Sequence, residues 1–213
     1  MNLHAVCFFD IECVPLANWE DIGETLQDLW RSKFNKKGDL TEEEVAQLFT
    51  DTAAFYAEFS KVVCVSVYFN KVLKSFYGPE EKLLADLSEY FRTNQVGYLC
   101  GHNIKGYDVP FLCRRYLLNG LPIPKVLNVT GKKPWEMNFL IDTMEFWKFG
   151  SFKYNASLDL LCAAFGLPSP KSEMDGSQVF GKYQEGDFEA IARYCEEDVK
   201  SCVRLYKTIK DIR

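Results

Sequence analysis

The sequence predicts an α/β protein, a mixed β-sheet flanked by helices, with a helical hairpin inserted after the first strand. Three observations predict it. Short apolar runs of strand length recur along the chain, beginning with Ala5–Phe9. From Pro79 onward these runs alternate with segments of helical spacing. Between the first run and the next lies a long stretch, roughly residues 16–60, whose apolar residues repeat at helical intervals. With 213 residues, 47% of them hydrophobic, the chain has material for one well-cored domain and too little for two ordinary ones. Residues 1–213 are therefore expected to form a single domain.

Taken in order, His4–Phe9 reads as a buried strand. Trp19–Phe34 reads as a helix with Trp19, Ile22, Leu26, Leu29 and Trp30 on one face, followed by a polar turn at Asn35–Asp39. Thr41-Glu-Glu-Glu44 is a capping box opening a second helix, whose apolar positions would be Val45, Leu48, Phe49, Phe55 and Phe59. Lys61–Asn70 and Val72–Tyr77 read as a hairpin turning at Asn70-Lys71. A helix over Pro79–Arg92, a strand over Gly97–His102 and a helix over Pro110–Asn119, closed by Gly120, come next. Phe139–Asp142 is a strand, Ser157–Phe165 a helix, and Asp187 caps a last helix that runs to the C-terminus.

Composition narrows the function. No stretch approaches the length of a membrane span, and the apolar run at Ala5–Phe9 is too short for a secretion signal. The expectation is a cytoplasmic protein. The eight cysteines form no C-x-x-C pair and mostly sit in apolar runs, which reads as reduced core thiols rather than a disulfide or zinc framework. A net charge of −5 argues against a broad duplex-binding face. It is compatible with an enzyme that binds cations and grips a few nucleotides.

The chemistry rests on carboxylates. Asp10 and Glu12 follow the first apolar run two residues apart, so both point to one face of a strand and repel unless a cation lies between them. In the last helix, Ile191, Tyr194, Cys202, Leu205 and Ile209 form an apolar stripe, and position 198 belongs to it as an aspartate. A carboxylate there requires an ion-pair partner or a metal. Tyr194 lies one turn earlier on the same face. Asp108, just before Val-Pro110, reads by itself as an ordinary helix start. Asp142 reads as a structural residue or a rival ligand.

In order along the chain, Asp10-Ile-Glu12, Asn103-Ile-Lys-Gly-Tyr107-Asp108 and Tyr194-Cys-Glu-Glu-Asp198 resemble the three exonuclease motifs of the DEDD superfamily, in the form with tyrosine in the third. No histidine follows His102, which excludes the histidine form. Phe9-Asp-Ile-Glu12, Gly101-His-Asn103 and Tyr194-Cys-Glu-Glu-Asp198 are most similar to predicted exonucleases related to the proofreading domain of family B DNA polymerases. Cys13 stands where such motifs usually carry Thr or Ser.

The resemblance implies a ribonuclease-H-like fold and 3′–5′ exonuclease activity on nucleic acid, DNA in the first place. It implies two divalent cations, Mg²⁺ or Mn²⁺, which hard carboxylate ligands suit. In that scheme Asp10 bridges both ions, Glu12 and Asp198 complete one, Asp108 holds the other and Tyr194 orients the attacking water. Asn103 contacts the terminal nucleotide or fixes its own loop, and Lys171 meets a phosphate or is a solvated surface residue. Arg114, Arg115, Lys132, Lys133 and Lys153 are candidates for an approach path, and Trp135, Phe146 and Tyr154 for base stacking. An exoribonuclease, and a binding module that kept the fold without catalysis, are the competing expectations.

Overall fold

The computed structural model describes residues 5–169 and 174–212. Its five-stranded sheet has the order β3-β2-β1-β4-β5, built from β1 (Val6–Pro15), β2 (Ser60–Phe69), β3 (Val72–Tyr77), β4 (Tyr98–Gly101) and β5 (Leu140–Asp142). β1 and β2 are antiparallel, as are β2 and β3. β4 and β5 run parallel to β1. The β2–β3 turn places Asn70 and Lys71 both at positive φ, 51° and 68°, the hairpin geometry whose twist matches that of the flanking strands.

Helices cover both faces. α3 (Glu80–Thr93) and α4 (Asp108–Leu118) close the face that carries Cys7, Phe9 and Ile11. The 25-residue α8 (Phe188–Ile212) crosses the other face, where Val6 and Phe8 meet Val199, Cys202 and Tyr206. Strand alternation therefore points Asp10 and Glu12 towards α8. Among the described residues no helix is long and apolar enough to cross a membrane.

The first strand is longer than the apolar run suggests. β1 continues through Asp10 and Glu12 to Pro15, which pairs with Ser60. Both carboxylates thus project from mid-strand rather than from a strand end, with a bulge directly after Glu12. The charges mislead because the sheet face they occupy carries a polar site rather than core.

The insertion forms α1 (Glu24–Phe34) and α2 (Glu42–Thr52), followed by a 3₁₀ turn at Ala53–Phe55. The capping box on α2 is present, with Thr41 accepting from Glu44 N and the Glu44 carboxylate accepting from Thr41 N. The expected helix over Trp19–Phe34 is broken by Gly23 at φ 89°, a conformation open to glycine and costly to other residues. Trp19, Trp30, Val45, Phe49 and Phe59 make a separate aromatic core. Phe55 and Phe59 lie beyond α2: Phe59 enters that core just ahead of β2, whereas Phe55 is 64% exposed.

Two further helices, α5 (Thr143–Lys148) and α7 (Val179–Glu185), lack a strong pattern in sequence, and α6 (Leu158–Ala164) lies between them.

Candidate active site

Three elements converge on one locus. β1 supplies Asp10 and Glu12, α8 supplies Tyr194 and Asp198, and Asp108 is the first residue of α4. The placement of Asp108 follows from the sheet. β4 pairs with β1 only from Val6 to Phe8, and beyond that point the backbone N–H of Ile11 donates to the Asp108 carboxylate.

Burial and mutual repulsion dominate the electrostatics. Glu12 is 9% exposed and Asp108 3%. Desolvation raises the Asp10 carboxyl well above its ordinary value, and the charges acting on it, Asp198, Asp108 and Glu12, raise it further. Glu12 is raised by burial and then by Asp198. Burial likewise lifts Asp108 from 3.8 to about 7, opposed by the backbone N–H groups at its carboxylate. Hard oxygen donors gathered from separate elements and held at such a cost fit a divalent cation, whose charge removes the repulsion.

Burial, with Asp198 next, raises the Tyr194 hydroxyl far above its ordinary value. Tyr194 is therefore a phenol at neutral pH and a hydrogen-bond donor rather than a base.

One participant was not anticipated. The Cys195 thiol lies 3.3 Å from Asp10 O and 3.6 Å from Asp10 Oδ2, and ligand atoms of Asp10, Glu12 and Cys195 fall within 4.8 Å of one another. The buried line along α8 is Ile191, Cys195, Val199, Cys202 and Tyr206. Tyr194 and Asp198 stand at its edge, partly exposed, where a side chain can reach both the core and the cleft. The four-residue step from Ile191 to Cys195 to Val199 was the available signal.

Asp142 does not join the cluster in a ligating geometry. Its carboxylate accepts from Asn103 N at 2.9 Å, Lys105 N at 3.1 Å and Met144 N at 3.0 Å. It thereby caps α5 and organises the 103–107 loop. Asn103 sits at φ 63°, and its Oδ1 would lie 2.5 Å from a Cβ added at Gly106. The amide is thus folded over its own loop. Lys171 lies outside the described residues.

The wider set divides. Arg115 is 6% exposed and paired with Glu80 at 2.6 Å, so it is structural and lines no approach path. Phe146 packs beside Tyr206 against the core and is not available for stacking. Trp135 and Tyr154 are exposed, as are Arg114, Lys132, Lys133 and Lys153.

His102 links the motif loop to later segments. Its Nε2 donates to Ala156 O at 2.8 Å, and Nδ1 lies 2.9 Å from Thr143 Oγ1. Burial holds its imidazole below the ordinary 6.5. A depressed value in the folded state means that its contribution to stability is present above pH 6.5 and is lost as pH falls. One proton of linkage amounts to at most about 1.4 kcal/mol per pH unit. Thermal unfolding at pH 7.5 and 5.5 is expected to show a larger drop for the native protein than for His102→Gln; equal drops would exclude this role.

Residues 37–213 match the family described as predicted 3′–5′ exonucleases related to the exonuclease domain of PolB. The chain belongs to this family. The matched stretch holds Asp108, Tyr194 and Asp198, while Asp10 and Glu12 precede it. A DNA polymerase of Red sea bream iridovirus is 28% identical over 147 residues, covering 61% of this chain and 15% of the viral protein. The family B DNA polymerase of the archaeon Pyrobaculum calidifontis superposes with a TM-score of 0.62 at 16% identity, over 96% of this chain and 24% of its own. This member of the family therefore spans only a small part of either polymerase and shares the fold of the matched part of the archaeal one, a ribonuclease-H-like sheet.

Proposed function

We propose that the 213 residues act as one exonuclease domain that hydrolyses phosphodiester bonds from the 3′ end of DNA, at single-stranded or frayed ends. The observation that carries this reading is the convergence of Asp10, Glu12, Asp108 and Asp198, from β1, α4 and α8, at one partly buried locus. The family supports the reaction class, and the name of the viral relative favours DNA over RNA.

Two divalent cations, Mg²⁺ or Mn²⁺, would be held by the four carboxylates and would supply charge neutralisation at the scissile phosphate and a water of lowered pKa. In this reading Asp10 would contribute to holding both, Glu12 and Asp198 one, and Asp108 the other. The chain's own task is orientation. Tyr194, a neutral donor, aligns the attacking water, and the Cys195 thiol lies against Asp10, 3.3 Å from its backbone carbonyl and 3.6 Å from its carboxylate.

The test uses 5′-labelled single-stranded DNA and RNA oligonucleotides with Mg²⁺, Mn²⁺ or EDTA. The expected result is a ladder shortening from the 3′ end with either metal, absent in EDTA, with DNA cut faster. Faster cutting of RNA would reassign the substrate. No cleavage by the folded protein under any metal would overturn the enzymatic reading.

A further inference from the structure

We infer that Phe55, delivered by the inserted hairpin, is the surface on which the base of the 3′-terminal nucleotide stacks. This rests on the exonuclease reading. A cleft of about 1020 Å³ opens beside Glu12, between the end of the hairpin at Thr50–Phe55 and the segment from Met174 to Gly181. It is as large as the largest ordinary small-molecule sites, which run roughly 300–1,000 Å³, so it has room for more than bound cations.

Phe55 lines this cleft with 64% of its surface exposed, although Ala53 two residues earlier is fully buried. The backbone that carries this ring is tied down, and the ring itself has one aromatic neighbour. Tyr56 N donates to Ala53 O at 2.9 Å, closing the turn. The Tyr107 hydroxyl donates to Ala54 O at 2.8 Å, and the Tyr107 ring meets the Phe55 ring edge-on at 6.3 Å. Tyr107 immediately precedes Asp108, so the ring is tied to the loop that carries one of the carboxylates.

The rest of the cleft is consistent with a base rather than a phosphate. Among the described lining residues there is no lysine or arginine, and the polar groups include Asp51, Asp175, Ser177 and Gln178. Opposite the hairpin, the Tyr194 hydroxyl would lie only 3.7 Å from a Cβ at Gly176, which brings the far wall to the catalytic tyrosine. A base entering between these walls would stack on Phe55 while its phosphate faced the carboxylates. Base–aromatic stacking tolerates any of the four bases, so the contact would favour unpaired ends without selecting sequence.

The experiment compares native protein, Phe55→Ala and Phe55→Trp on single-stranded oligonucleotides ending in either a normal or a base-less nucleotide. Phe55→Ala is expected to raise KM roughly 5- to 160-fold, the range of one base–aromatic stack, with kcat little changed. Phe55→Trp should restore KM, and on the base-less end all three should agree. Equal KM values on the normal end, or an equal loss on both ends, would overturn the assignment. Quenching of a 3′-terminal 2-aminopurine, measured in EDTA and in Ca²⁺, reads stacking independently of hydrolysis. Quenching by the native protein but not by Phe55→Ala would uphold the stack even if no strand were cut, whereas absence of quenching by the native protein would refute it.

Discussion

Asp10→Asn is expected to lower exonuclease activity by about 10³-fold and, in EDTA at pH 8, to raise the melting temperature. The two effects share a cause. A bound divalent cation contributes several kcal/mol to the transition state, and at 1.36 kcal/mol per tenfold its loss accounts for the rate. Without a cation the carboxylate is a poorly solvated charge facing Asp198, Asp108 and Glu12, so an isosteric neutral amide relieves repulsion. Each kcal/mol recovered is worth roughly 2–4 °C in a chain of this size. Mn²⁺ should raise the melting temperature of the native protein and have little effect on the variant. A variant that melts lower than the native protein in EDTA, or that responds fully to Mn²⁺, would show that Asp10 is a structural residue.

Arg115→Ala is expected to cost about 3–5 kcal/mol of stability, the usual penalty for removing one partner of a buried ion pair. The guanidinium donates to both Glu80 oxygens, at 2.8 and 2.6 Å, and to Ala57 O at 2.7 Å. Glu80 also accepts from Val62 N at 2.8 Å. Through Glu80, one residue of α4 therefore joins the start of α3, the start of β2 and the end of the insertion. Its loss leaves a buried carboxylate and an unpaired carbonyl, and a fall in melting temperature of roughly 10 °C follows from the same scaling. The neighbouring Arg114 is exposed, and Arg114→Ala should stay within about 0.5 kcal/mol. Denaturant unfolding of the two variants side by side checks the contrast; equal stabilities would remove Arg115 from its structural role.

Much of this architecture follows from local pattern. The capping box at Thr41, the hairpin at Asn70-Lys71, the long amphipathic run after Asp187 and the strand-like apolar stretches each depend on residues within one turn or one strand pair. They are legible for that reason, and so is the α/β class they add up to. The pairing of Asp10 with Glu12 across one strand face is equally local, a consequence of a two-residue repeat.

Tertiary structure decided the rest, because it depends on partners distant in sequence. Whether β1 stops at Phe9 or continues to Pro15 depends on β2 some fifty residues later, which pairs along that whole length. Arg115 reads as a surface cation until Glu80 and Ala57 enclose it. Phe55 reads as another position of a helix face until Gly23 and the 3₁₀ turn at Ala53 show where the hairpin's helices begin and end. The contact of Cys195 with Asp10 spans 185 residues, and no periodicity within α8 specifies it. Sequence by itself determined which side chains carry charge and which local faces they share. Only the packing of β1, α4 and α8 decided which of those charges meet, since burial and repulsion are properties of the assembled core.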